Sequence, residues 1–425
     1  MKILFIACYS PLINNSASIE TLQYLNKLNK IDGNEIYLLT VNFPKDSIYY
    51  DEYLFSMMSR DIRVHAVGGG RLFEKVMPKK SSVKNSASGK SPGIKGKILR
   101  KIKNMAAVPD MYAYWAVKAA KYGKKLAEEN SFDVIFSMHE PPSSHLCAYM
   151  IKKQFSEIPW ITYWSDPWVK DSTREKSFFM RKAIEKYLER KVVRNANKLI
   201  FVTKENMKDY IDTYSLDPKT CYVVTRGYDK EIYDRLKNGL KPSLIKEDKI
   251  NIVYAGEIFS KLRDVIPFYE AVAELKNEDP DLYGKLNILF FGNIDDEDIK
   301  QKLISEEAIK VSGRIPFDEA LKYMLKSHGL LLFGNKNSKQ IPGKIYDYFG
   351  TDSWILNIYG DEKDPIIPLV QNHYKCIGVN NEKNEIKNAI RILREKVEAG
   401  EESKEDISYE WDSVAKRLNK ILGEK

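Results

Sequence analysis

Four cysteines in 425 residues (Cys8, Cys147, Cys221, Cys376) stand far apart in the chain. That excludes a disulfide scaffold and a thiolate metal site with close ligand spacing, and it suits a reducing cytoplasm. Histidine is nearly as scarce, with five residues, so a zinc centre is not expected. No apolar run approaches the ~20 residues that span a bilayer. The N-terminal stretch MKILFIACYSPL is too short for a secretory signal and reads as a first buried strand. The turn after it, YSPLINNSAS, is not the G-x-G-x-x-G of a nicotinamide or flavin dinucleotide fold. No D-x-D pair stands at a strand end either, because Asp295-Asp296 opens a helix as a cap. A net excess of positive charge is also missing from most of the chain. The net charge of +9 is carried by nine Lys or Arg between Lys79 and Lys103, where there is no acidic residue, and the remainder is neutral. That tract has no interleaved aromatics, which argues against nucleic acid as a partner.

The rest of the sequence alternates apolar strands with amphipathic helices, the pattern of an α/β protein with parallel sheets. Strands read at 2–8, 35–42, 62–69, 133–138, 160–165 and 198–203, then at 250–256, 286–292, 309–315, 329–334, 354–360 and 375–379. Helices fill most of the gaps. The expected organisation is an N-terminal Rossmann-like domain over 1–227 with a basic flexible segment at 77–104. A linker follows at 228–249, then a second Rossmann-like domain at 250–404. Residues 405–425 form a last amphipathic helix, with Trp411, Val414, Leu418 and Leu422 on one face, returning to the first domain. Open α/β sheets bind ligands at the carboxyl ends of their strands, so two such domains are expected to face each other across a cleft.

Several loops at those strand ends carry chemistry. IPGKIYDYFG (341–350) follows the strand GLLLFG, and Pro342 suits the first position of a helix. The amides of Gly343, Lys344 and Ile345 would then point out of a helix N-terminus, where an anion is favoured, and Lys344 adds a full charge. Asp347, one turn on, can accept two hydrogen bonds from a vicinal diol. A phosphate followed by a diol outlines a nucleoside diphosphate. AGEIFSKLRD (255–264) puts Gly256 at a strand end and offers Lys261 or Arg263 to a diphosphate. SGRIP (312–316), with Gly313 and Arg314, suits backbone contacts to a base. In the first half, SMHEPPSSH (137–145) carries His139 at a strand end. WSDPWVKD (164–171) sets Asp166 and Trp168 where a carboxylate and an indole could face a sugar. Asn15 and Ser16 lie in the turn after the first strand.

The ordered set resembles the retaining glycosyltransferases of the GT-B fold, within the bacterial glycosyltransferase family four and its surface-polysaccharide branch. The resemblance covers nearly the whole chain. It implies transfer of a sugar from a nucleotide-diphosphate sugar to a saccharide or polyprenyl-linked acceptor, with retention and without a metal or other cofactor. It also implies that His139 lies beside the anomeric carbon, that Gly256, Lys261, Arg263, Gly313, Arg314, Pro342, Gly343, Lys344, Ile345 and Asp347 hold the donor, and that Asn15, Ser16, Asp166 and Trp168 meet the acceptor. Two positions depart from the family pattern. Lys339 stands where a sugar-binding Glu is usual, and Glu257 where an Arg often follows the glycine. A nucleotide-sugar 2-epimerase, or a catalytically silent sugar-binding protein of the same fold, remains the alternative. The tract with Lys95, Lys97, Arg100, Lys101 and Lys103 could be a solvated loop, or it could attract an anionic membrane surface. The expected location is cytoplasmic, peripheral at the inner membrane face in the latter case.

Overall fold

The computed structural model describes residues 1–13, 15–47, 49–70, 73, 77, 108–170, 179–336 and 341–424. The basic tract and Lys339 therefore lie outside the described residues. The chain divides into two compact units, Met1–Thr225 with Val414–Lys425, and Arg226–Ser413.

The first unit is built on an all-parallel sheet of seven strands in the order β3-β2-β1-β4-β5-β6-β7. These are β1 (Lys2–Ala7), β2 (Glu35–Asn42), β3 (Arg63–Gly68), β4 (Val134–Met138), β5 (Trp160–Trp164), β6 (Lys198–Phe201) and β7 (Cys221–Val223). Runs such as KILFIA and VIFSM are apolar at nearly every position because both faces of a parallel sheet are covered by helices. Those helices are α1 (Ser16–Asn29), the short α2 (Glu52–Ser56), α3 (Ala113–Glu129), α4 (Ser143–Lys152), α5 (Phe179–Asn195) and α6 (Lys204–Tyr214).

The second unit repeats the plan with six parallel strands in the order β10-β9-β8-β11-β12-β13. They are β8 (Ile250–Ala255), β9 (Leu286–Phe291), β10 (Ile309–Ser312), β11 (Gly329–Phe333), β12 (Trp354–Ile358) and β13 (Cys376–Val379). Its helices are α7 (Lys230–Lys237), α8 (Ile266–Glu278), α9 (Pro280–Lys285), α10 (Glu297–Ser305), α11 (Phe317–Leu325), α12 (Lys344–Phe349), α13 (Ile367–Val370) and α14 (Lys383–Glu398). Where the sequence suggests a linker over 228–249, the structure has α7, capped by the Asp229 carboxylate and belonging to the second unit. The last helix, α15 (Trp411–Gly423), buries Trp411, Val414, Leu418 and Leu422.

Each sheet changes direction once. The chain winds outward from β1 to β3 and then restarts at β4 on the other side, and likewise from β8 to β10 and then β11. Such a reversal opens a crevice at the strand carboxyl ends, because the two flanking connections run to opposite faces of the sheet.

Candidate functional site

The carboxyl ends of β8 and β9, the loop after β10 and helices α11 and α12 line a cavity of about 340 Å³. Its floor is backbone. The Gly256 amide donates to the Phe291 carbonyl at 2.7 Å, and a Cβ on Gly292, which has a φ of +130°, would collide with the Gly256 carbonyl. A Cβ on Gly256 would in turn overlap Cε and Nζ of Lys344. The glycine at the end of β8 thus gives the Lys344 side chain a path across the crevice, which a side chain there would close.

Lys344 is the first residue of α12, and Asp347, one turn later, also lines the cavity. Burial, and then Arg263, hold the Lys344 ammonium below the usual lysine range, while Asp347 and Glu257 oppose that shift. Burial pushes the Asp347 carboxyl up to about 6, against the pull of Lys344, the Tyr233 hydroxyl and Arg226. The Tyr233 hydroxyl, on α7, donates to the Asp347 carbonyl at 3.1 Å and lies 3.5 Å from its Oδ1. Arg226 packs against Gly343, where a Cβ would stand 3.1 Å from its Nη1. Lys344 and Asp347 thus line the cavity together, with Arg263 and Arg226 near enough to act on their charges. Phe291, Ile315, Phe317, Met324 and Tyr348 make the other wall apolar. Glu257 and Arg314 also line it and form an ion pair with each other.

Of the donor residues read from the sequence, Gly256, Arg314, Lys344 and Asp347 line this cavity. Others are corrected. The helix begins at Lys344 rather than at Pro342, which precedes the N-cap Gly343. The Ile345 amide is not free for an anion, since it donates to the Pro342 carbonyl at 3.1 Å. Arg263 is a brace for the loops. Its Nε donates to Asn335 Oδ1 at 2.9 Å, and its Nη1 to the Glu257 carbonyl at 2.5 Å. Lys261 is exposed and does not line the cavity, nor does Gly313, whose carbonyl accepts the Gly292 amide at 3.3 Å. Neither Tyr233 nor Arg226 stands among the site residues read from the sequence.

The acceptor residues of the first unit are placed differently. Trp168 is 0% exposed in the hydrophobic core, and its amide donates to the Tyr210 hydroxyl at 3.1 Å. It does not present its indole to a sugar. The same loop is held by Glu189, whose buried carboxylate accepts from the Tyr210 and Tyr214 hydroxyls. Asn15 is the N-cap of α1, its Oδ1 accepting from the Ser18 amide at 2.7 Å, and Ser16 is the first, exposed residue of that helix. Asp166 is partly exposed. His139 is 3% exposed, with its ring stacked on Trp164 and His145 at 5.8 Å from each. Burial drives His145 down to about 3, so it is neutral, and its Nδ1 lies 2.8 Å from Ser137 Oγ. Ser143 does not cap α4 with its own side chain. The Asp110 carboxylate does so instead, taking the Ser143 amide at 3.0 Å and its hydroxyl at 2.7 Å.

No family model matches the sequence, and no curated protein matches it. Solved structures do. A glycosyltransferase from Rickettsia africae ESF-5 superposes with a TM-score of 0.60 at 12% identity, covering 99% of this chain and 97% of that one. Sucrose-phosphate synthase from Thermosynechococcus elongatus gives 0.59 at 12%, with the same two coverages. A UDP-GlcNAc 2-epimerase from Neisseria meningitidis, bound to UDP-GlcNAc, gives 0.52 at 11% and 99% of both chains. The chain has the GT-B fold. At these identities the likeness speaks for the fold alone. Among the described residues no helix is long and apolar enough to cross a membrane, and no group of three or more His, Cys, Asp or Glu could hold a metal ion.

Proposed function

We propose that the protein is a retaining glycosyltransferase that takes its sugar from a nucleotide-diphosphate donor. The observation that carries this reading is the cavity at the carboxyl ends of β8 and β9, with a cation laid across its glycine floor, a carboxylate one turn further on, and apolar side chains beside them. The wall suits a base, Asp347 suits a ribose diol, and Lys344 with Arg226 suits a diphosphate. In the reaction the bond from the anomeric carbon to the phosphate oxygen breaks, and the acceptor oxygen bonds to that carbon on the same face. The acceptor's proton passes to the leaving phosphate. Fixed cations that stabilise the developing phosphate charge do electrostatically what a divalent ion does elsewhere. Asp347 is the carboxylate contact to the nucleotide. His139 keeps the place beside the anomeric carbon that the family resemblance gives it.

The acceptor in this reading is a saccharide or a polyprenyl-linked saccharide of the cell surface. A 2-epimerase is the second reading, since proteins of that activity share the fold. Titration with UDP, GDP and dTDP, followed by incubation with their sugars, tests both. Binding of one nucleotide is expected, and Lys344→Met should weaken it by roughly 10- to 100-fold while leaving the fold intact. Slow hydrolysis of the sugar nucleotide supports transfer, whereas a changed sugar still attached to the nucleotide supports epimerisation. Failure to bind any of the three overturns the nucleotide site.

A further inference from the structure

The first unit carries an exposed face that neither its core nor the nucleotide reading uses. On α5, Phe179 is 81% exposed and Met180 63%, with Ile184 and Tyr187 continuing the stripe over the next two turns. The same helix hides both of its acids. Glu185 pairs with Arg181 at 2.7 Å, and Glu189 is buried against Tyr210 and Tyr214. The charges it leaves exposed are Lys186, Arg190, Lys191 and Arg194, all positive.

Helix α3 repeats the arrangement. Met111 precedes it, and Tyr114 (62% exposed) and Val117 lie on its first two turns, followed by exposed Lys118, Lys121 and Lys125. Its exposed acids, Glu128 and Glu129, stand at the far end. The two apolar ends are neighbours, because Arg181 Nη2 donates to the Pro109 carbonyl at 2.7 Å, and both helices pack on α4.

Large apolar side chains at adjoining helix ends, backed by cations and, among the described residues of the two helices, with exposed acids only at the far end of α3, match an interface that is apolar inside and anionic at its surface. We infer that the Met111–Val117 and Phe179–Tyr187 faces of α3 and α5 together form a docking surface for an anionic lipid bilayer. The aromatic and aliphatic tips enter the headgroup layer, and Lys118, Lys121, Lys186 and Lys191 meet lipid phosphates. The two tyrosines already lie under cations, Tyr114 under Lys118 and Tyr187 under Lys191, which keeps the amines beside the apolar patch. This surface uses no residue of the Lys79–Lys103 tract and does not depend on the nucleotide site.

Co-sedimentation of the full chain with phosphatidylcholine vesicles, with and without phosphatidylglycerol, is the test. Pelleting is expected only with phosphatidylglycerol. Phe179→Ser with Ile184→Ser should weaken it, and Lys186→Glu with Lys191→Glu should weaken it by roughly a hundredfold. Leu240→Ser, at an exposed leucine of the other unit, should change nothing. Circular dichroism and nucleotide titration of every variant separate loss of docking from loss of fold or of the nucleotide site. Phe179→Trp adds a direct readout, because the six native tryptophans are buried, so new fluorescence quenched by brominated lipid reports insertion at this helix. Three results would overturn the proposal: no pelleting with anionic vesicles, binding unaffected by both double variants, or lipid-free dimerisation of the wild type that those variants abolish.

Discussion

The two sheets reverse direction at the same point in their topology, yet the crevices there are furnished in opposite ways. Beside β8, glycines at the ends of β8 and β9 leave the backbone bare, and the Lys344 side chain lies across it in a cavity. Between β1 and β4 the described residues at the strand ends contact one another. The Cys8 amide donates to the Ser144 hydroxyl at 2.9 Å, Asp110 caps α4, and His139 lies flat against Trp164. Two equivalent positions in one architecture can therefore serve different ends. What decides is whether the residues at the strand ends satisfy one another or remain aimed at open space.

The largest expected effect concerns the aromatic packing of the first unit. Trp168→Ala should cost about 3–5 kcal/mol of stability, as removal of a fully buried aromatic does, measured by denaturant unfolding. Phe317→Ala in the second unit, at a ring 65% exposed on the cavity wall, should leave stability nearly unchanged and weaken nucleotide binding instead. Equal effects on stability would erase the contrast.

His139 tests it from the other side. His139→Phe preserves a flat ring against Trp164 and His145 but removes both nitrogens. If the residue acts at the anomeric carbon, turnover falls roughly a hundredfold or more while nucleotide affinity and melting stay put. Unchanged turnover would reduce it to packing, and the two crevices would then differ in function as well as in form.

Much of this contrast was out of reach of the sequence, for identifiable reasons. The strands were readable because a parallel sheet buries both faces, so LNILFF or GLLLF can hardly be anything else. Lys344 and Asp347 were readable because they sit three apart in one helical turn. Strand β7 was missed since it has three residues, and α7 because only Tyr233 of its eight residues is buried. The contact from Tyr233 to Asp347 spans 114 residues, and no local pattern announces it. Trp168 shows the limit most clearly: an indole beside an Asp–Pro turn reads the same whether it faces a sugar or the core.

Asp347 gives a smaller, pH-dependent effect. An unfolded Asp ionises near pH 4, whereas burial holds the folded one at about 6. Between those values unfolding releases a proton, so stability falls as pH rises through that window. The penalty is complete above the folded value and absent below the unfolded one. Asp347→Asn should therefore stabilise the protein by about 2 kcal/mol at neutral pH, a gain that disappears by about pH 4. The same variant should bind nucleotide more weakly at neutral pH. A variant that gained stability and lost no affinity would remove Asp347 from the ribose site.

The smallest effect should come from the ion pair of Glu257 and Arg314. Arg314 is 76% exposed, and surface pairs of this kind add little to stability, so Arg314→Ala should hardly move the thermal midpoint. It should nevertheless weaken nucleotide binding several-fold, because Glu257 would then present an unneutralised carboxylate to a diphosphate in the same cavity. Glu257→Gln added to Arg314→Ala should restore the affinity, and the weakening should shrink at high salt. The sign of the double variant separates two roles for the pair. If Glu257→Gln rescues, Arg314 serves by neutralising Glu257, and the departure from the usual family arginine is compensated from the neighbouring loop. If it does not, Arg314 touches the nucleotide itself, and the open crevice of the second unit has a further cation aimed into it.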